Sequence, residues 1–295
     1  MDWRLRKKIA KAKTEKLFEW LLEERNQTEE TDRRWALILQ LRRRDIETVF
    51  STASIWCQNN DWLIREAGAD LLVLGRHEGE QFVYPKKTET QPILEKLLSD
   101  RRPEVVASAI YAVGHLRLAR ELLDQRMDLV VHKSFFIRRA MSFALSGDGT
   151  TDETVGLLLL LMKDNDVEVR DWATFGLGSQ CDKDSKEIRQ GLFERLYDVD
   201  DDTHLEAVGG LARRGDKRVV PALIKRFEEE QAQDEWQVAN AWLEAAAEIA
   251  APELLPVLLA MAPRYDEDDF WLDLAIRRCQ GEIEPDGRVF GMQED

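Results

Sequence analysis

The chain has 295 residues, with 42 Lys and Arg against 57 Asp and Glu, and a formal net charge of −15. Its surface as a whole repels a phosphate backbone, which excludes the sequence-independent nucleic-acid binding that a basic surface provides. A content of 44% hydrophobic and 34% charged residues suits a folded chain with a real core, and the longest apolar stretch, residues 155–162, falls far short of the roughly 20 residues a bilayer requires.

In chain order, residues 1–44 hold an excess of basic side chains, and residues 3–25 read as an N-terminal cap helix carrying Arg4, Arg6, Lys7, Lys8, Lys11, Lys13 and Lys16. This basic run reads as a solvated face, and neither a nucleic acid nor a membrane is expected as a partner. No secretory apolar region opens the chain, so a cytoplasmic location is expected. Cys57, Cys181 and Cys279 lie too far apart for a metal pair or a disulfide framework and are expected to be reduced.

From residue 64 onward one pattern recurs: a polar turn, a β-branched or aromatic residue, often Arg next, a small residue four after the first and an aliphatic one eight after it. It begins at Ile64, Val105, Ile137, Val169 and Thr203, with looser copies near Val238 and Phe270, at intervals of 41, 32, 32, 34, 35 and 32 residues. Such a period means stacked supersecondary units. Apolar residues three or four apart on both sides of each turn make the unit a helical hairpin, helix A then helix B. The fold class expected is all-α, an α-solenoid of about eight hairpins over residues 1–280 with residues 1–30 as cap, followed by an irregular tail, 281–295, broken by Gly281, Pro285, Gly287 and Gly291. The long first interval contains residues 76–92, expected to emerge as a loop on one edge.

Counted along helix B, the seventh position points toward the inner face and reads Asp70, Tyr111, Phe143, Phe175 and Gly209. This is either a binding ladder of aromatics or packing between adjacent B helices, and packing is the favoured reading. Glu66, Arg139 and Asp171 join the same face. Arg65, Arg138 and Arg170 in the second position are expected to pair with turn carboxylates such as Asp61 and Asp166, or with neighbouring repeats. The A–B turns are rich in acids, including Asp200, Asp201 and Asp202 in one and Asp268 and Asp269 in another, more than helix capping requires. Trp236 and Trp271 sit at these turns. A negative edge flanked by Trp suits a cationic protein partner.

The Val-Arg-x-x-Ala opening of helix B resembles the HEAT repeat, in the short form shared with phycobilin-lyase-like proteins. Members of that broad group do chemistry by means this chain lacks. A di-iron hydroxylase needs repeated His-Glu pairs, and among four histidines only His77-Glu78 forms one. HEAT-like DNA glycosylases need a basic concave face, where this chain has Glu66, Asp70 and Asp171. The signatures of serine hydrolases, P-loops and dinucleotide folds are absent, so no catalytic residue, metal ligand or cofactor is assigned. A lyase or accessory protein holding a small aromatic ligand is the alternative from another class, and a general interaction scaffold a third.

Phe135-Phe136-Ile137-Arg138-Arg139-Ala140, residues 166–175 and Gly215-Asp216-Lys217-Arg218-Val219 together resemble the YibA-type HEAT-repeat proteins of bacterial Rhs loci over most of residues 30–280. That resemblance implies an immunity protein that binds and neutralises a cognate toxin domain, a basic protein partner. The contact residues expected on the residues' own chemistry are Glu66, Asp70, Tyr111, Arg139, Phe143, Asp171, Phe175, Asp200, Asp201, Asp202, Trp236, Asp268, Asp269 and Trp271.

Overall fold

The computed structural model describes residues 3–24, 32–147, 151–232, 240–264 and 269–283. The chain divides into two compact units, residues 1–148 and 149–295. Each is a stack of helical hairpins, and the fold class is an α-solenoid.

In the first unit, α1 (Trp3–Lys11) and α2 (Thr14–Glu24) stand where one cap helix was expected. The break at Ala12 is held by Arg44, whose Nη2 donates to the carbonyls of Ala10 (3.0 Å) and Ala12 (2.8 Å) and so satisfies the open end of α1. There follow α3 (Asp32–Leu41), α4 (Ile46–Trp56), α5 (Trp62–Leu71), strands β1 (Arg76–Glu78) and β2 (Gln81–Val83), α6 (Lys87–Leu97), α7 (Pro103–His115), α8 (Ala119–Leu123) with a 3-10 extension, and α9 (Phe135–Ser146). The second unit comprises α10 (Asp152–Leu161), α11 (Val167–Phe175), α12 (Lys186–Arg195), α13 (Asp201–Arg213), α14 (Val220–Gln231), α15 (Asn240–Ile249), α16 (Leu255–Met261) and α17 (Phe270–Cys279). Within each unit the odd-numbered B helices pack side by side and the A helices lie outside them. No described helix is long and apolar enough to cross a membrane.

The insertion is more ordered than a loop. Arg76 pairs with Val83 and Glu78 with Gln81 across an antiparallel hairpin, turned by Gly79 at φ +63°, a conformation glycine adopts without steric cost. The rest of the expected insertion belongs to α6, which begins at Lys87 and carries Pro92 inside it.

One turn design recurs between helix A and helix B. A side-chain acceptor receives the backbone N–H two residues on: Asn59 from Asp61, Asp100 from Arg102, His132 Nδ1 from Ser134, Asp164 from Asp166 and Asp198 from Asp200. The residue that donates this N–H is then the helix N-cap, and Asp61, Asp166, Asp200 and Asp269 accept in turn from N–H groups of the first helical turn. Three residues after the cap comes the buried anchor: Val105, Ile137, Val169 and Thr203 are all nearly inaccessible. This corrects the last repeat. Phe270 directly follows its cap and is exposed, and the buried anchor is Leu272.

The second-position arginines link turns as well. Arg65 donates through Nη1 to the carbonyls of Asn59 and Asn60 in its own turn, and through Nε and Nη2 to both oxygens of Asp100 in the next. Arg170 repeats this with the carbonyls of Asp164 and Asn165 and both oxygens of Asp198. Asp61 and Asp166, expected as partners, cap their own helices instead. Burial opposes ionisation of Asp100 and Asp198, but the guanidinium and backbone N–H groups outweigh it and hold both carboxyls below their usual range. Their stabilising effect is present above an unfolded value of about 4 and is lost as pH falls through the folded values.

Helix α11 ends in a π-helical turn, residues 176–180, whose displaced carbonyls meet the fully buried Arg214. Its guanidinium donates to Leu177 O and Cys181 O (both 2.8 Å) and to Gly210 O (2.9 Å). Here α11 and α13 come closest: a Cβ on Gly210 would lie 2.7 Å from Gly178 Cα, whereas one on Gly209 would meet nothing within 4 Å.

Two outcomes follow for urea unfolding. Arg170→Gln takes two hydrogen bonds from the buried Asp198, leaving it Arg195 as its cation, and costs about 2–4 kcal/mol, whereas Lys225→Ala, which removes an exposed pair with Glu229, costs at most about 0.5 kcal/mol. Gly210→Ala destabilises by about 1–3 kcal/mol through overpacking, and its neighbour Gly209→Ala stabilises by about 0.5–1 kcal/mol through helix propensity.

Candidate protein interface

On the inner side of the first unit the sequence-expected residues are joined by others into one polar and aromatic network. Asp70, at the end of α5, is buried and pairs with Arg34 of α3 at 2.8 Å; Glu66 stands one turn earlier, 3.5 Å from the same Nη2. Arg42 donates to the Asp70 carbonyl through Nε (3.1 Å) and Nη2 (2.5 Å). Next comes His115, whose imidazole is held below its usual value by burial and by the Arg42 charge. Its ring meets Phe143 with centroids 4.8 Å apart, Phe143 meets Tyr111 at 5.3 Å, and the Tyr111 hydroxyl accepts from Arg139 Nε at 2.9 Å. Phe143 also lies over Gly114, where a Cβ would come within 2.9 Å of its ring.

This arrangement corrects one expectation. Asp70 is spent on Arg34 inside the protein and is not offered to solvent. Tyr111 and Phe143 meet between α7 and α9, the packing role favoured from the sequence, and both side chains stay partly accessible to solvent. Arg34, Arg42 and His115 complete the network, and no spacing in the chain announces them, because they come from an earlier repeat or from the last turn of a helix.

The second unit is electrostatically the opposite. Asp171, half-buried on α11, has its carboxyl pushed up to about 6, first by burial and then by the charges of Asp200, Asp202, Glu206 and Glu168. Glu206 accepts from the Ser179 hydroxyl at 2.5 Å, and Arg213 donates to that same oxygen at 3.0 Å. Phe175 stands edge-on to Trp172, with centroids 5.7 Å apart. Trp242, on α15, is buried between His204 and Arg226 and belongs to the core.

Along the A–B edge of this unit the acids divide by role. Asp198 holds Arg170 and Arg195, and Asp200 and Asp269 cap helices. Asp201 and Asp202, at the first two positions of α13, are exposed. Trp271 is half-buried beside Phe270. Trp236 and Asp268 lie outside the described residues. In the first unit two of the corresponding turns carry Arg101, Arg102 and Lys133, so the negative edge belongs to the second unit.

Among the described residues no three His, Cys, Asp or Glu side chains are placed to hold a metal ion. The three cysteines are free and buried, and burial pushes Cys57 up to about 12 and Cys279 up to about 11, which suppresses the thiolate.

Comparison with known proteins places this geometry. Residues 154–239 match the family model described as HEAT repeats. The chain is 30% identical over 242 residues to Protein YibA of Escherichia coli K12, an alignment covering 79% of this chain and 80% of that protein, and equally to Protein YibA of Escherichia coli O157:H7. The X-ray structure of the Escherichia coli YibA protein matches with a TM-score of 0.69 at 25% identity, over 94% of this chain and 96% of that one. An engineered protein, 16% identical with a TM-score of 0.54 over 92% of this chain and 82% of its own, shares the fold.

The raised Asp171 carboxyl has a measurable sign. Its folded value, about 6, exceeds the unfolded value of about 3.9, so its effect is neutral at low pH and becomes a destabilisation as pH rises from about 4 to about 6. Asp171→Asn is therefore expected to raise the melting temperature near pH 8 and to leave it nearly unchanged near pH 4, read by thermal unfolding at both values.

Proposed function

Because the chain belongs to the YibA family of HEAT-repeat proteins, we propose that it is a non-enzymatic scaffold that binds another protein, and that its partner is a basic toxin domain which it silences as an immunity protein. The scaffold part of this reading rests on the family. The partner's charge rests on one observation: Asp171 is half-buried, and after burial the largest influences on its carboxyl are the negative charges of Asp200, Asp202, Glu206 and Glu168.

Folding rewards only part of that arrangement, through the favourable placement of Asp201 and Asp202 in the first turn of α13. Capping requires Asp200, and the clamp between repeats requires Asp198; Asp171, Asp201 and Asp202 serve neither. A Lys or Arg side chain from a partner would restore ionisation of Asp171 and recover the Coulomb energy that the isolated unit gives up. The exposed acids beside it raise the rate at which a cationic protein arrives, over a range set by the Debye length. Immunity is the role that the YibA-type resemblance implies, and a rigid hairpin stack offers a broad face for covering a toxin's active site.

The direct experiment is co-expression with the C-terminal domain of a large secreted protein encoded beside this chain, scored by cell survival and co-purification. Rescue with a stable complex is expected; toxicity without rescue would overturn the immunity role. In the complex, Asp201→Lys combined with Asp202→Lys should slow association about tenfold at low salt, with the difference closing at high salt and dissociation little changed. Association rates that ignore both the substitutions and the salt would remove the electrostatic part.

A further inference from the structure

The acidic edge of the second unit also carries an apolar step that folding does not account for. In the recurring A–B turn, the residue between the side-chain acceptor and the N-cap is Asn60, Arg101, Lys133, Asn165 and Val199 in five successive repeats. Only in the last is it apolar, and there the Val199 side chain is 93% exposed. Tyr197, two residues earlier, is 72% exposed, touching Phe193 only edge-on at 6.3 Å between centroids. On the preceding turn Val167, the first residue of α11, is 39% exposed.

These three residues share one edge, because a single guanidinium spans the two turns. Arg170 reaches the carbonyls of Asp164 and Asn165 on one side and the Asp198 carboxylate on the other. Tyr197 and Val199 flank that carboxylate in the chain, and Val167 follows the first turn's cap. Exposed acids border the step on both turns, Glu168 beside Val167 and Asp201 with Asp202 beyond Val199. Of the cations on these turns, Arg195 and Arg170 are engaged by Asp198, and the exposed Lys163 lies 3.9 Å from Glu194.

We propose that Tyr197, Val199 and Val167 form an anchor site for a protein segment that presents an aliphatic or aromatic side chain between lysines or arginines. The occupant's charge is fixed by complementarity to the exposed Asp201 and Asp202, and its apolar residue by the exposed valines and tyrosine. Acids surrounding a small apolar centre is also the anatomy of a binding hot spot with a polar rim. This deepens the partner reading above, on whose basic partner it rests, and specifies where that partner docks.

The test uses the full chain and three fluorescein-labelled 12-residue peptides: lysine-rich with leucine at every third or fourth position, the same with serine for leucine, and the leucine peptide with glutamate for lysine. Wild type is expected to bind the first at least tenfold more tightly than the second and not to bind the third. Val199→Asn combined with Tyr197→Ser, which places the turn's ordinary Asn in the fifth repeat, should bring that ratio to about one without lowering the melting temperature. Asp201→Asn with Asp202→Asn should weaken both lysine peptides alike and preserve the ratio. A wild-type ratio near one, absence of binding to the first peptide, or an unchanged ratio in the Val199 and Tyr197 variant would overturn the anchor. If the co-expressed toxin domain fails to bind while the peptide ratio holds, the immunity role falls and the anchor stands; a toxin complex with no peptide preference gives the reverse.

Discussion

The arginine that opens helix B sets the spacing of this structure. Arg65 and Arg170 each gather two turn carbonyls from their own repeat and a whole carboxylate from the next, so one planar guanidinium fixes the register between consecutive hairpins. That carboxylate, Asp100 or Asp198, in turn accepts the N–H of the coming N-cap residue. Turn geometry, helix start and repeat-to-repeat contact are thus parts of one hydrogen-bonded unit. A lysine has the charge but not the forked donors, and could not hold the turn carbonyls and both carboxylate oxygens in the same fixed geometry.

Once the turns are set this way, the surplus of charge can be separated from its structural use. The Asx-turn and capping acids are consumed by backbone donors, and Glu206 by the Ser179 hydroxyl; in the second unit Asp171, Asp201 and Asp202 have no such use. The first unit meets its buried acid, Asp70, with Arg34 and closes its inner side with Phe143 over Gly114. The same solenoid scaffold therefore carries a neutralised face in one unit and an uncompensated one in the other. A scaffold that binds by charge needs such an asymmetry, because carboxylates already paired inside the protein offer a partner little.

Close packing imposes its own demands in the second unit. The π-helical turn brings Gly178 against Gly210, and Arg214 absorbs the carbonyls that the turn displaces. A buried cation surrounded by carbonyl oxygens does there what a continuous helix ladder does elsewhere, and it leaves Ser179 positioned against Glu206.

Periodicity along the chain determined the repeat and the helical hairpins, because the buried anchors and small residues of helix B recur at fixed spacing and each is a local requirement of packing; the family was implied by the resemblance of particular motifs. The sequence also identified Asp171 and the acidic turns, since charge density is visible without coordinates. What only the tertiary structure decided is which of those charges are already spent. Asp70 is neutralised by Arg34, 36 residues away, and Arg170 by Asp198, 28 residues away, and such pairings depend on how one repeat stacks on the next. The apolar step at Tyr197 and Val199 was hidden for the same reason: an exposed valine and a buried one are the same letter until the turn that holds them is folded.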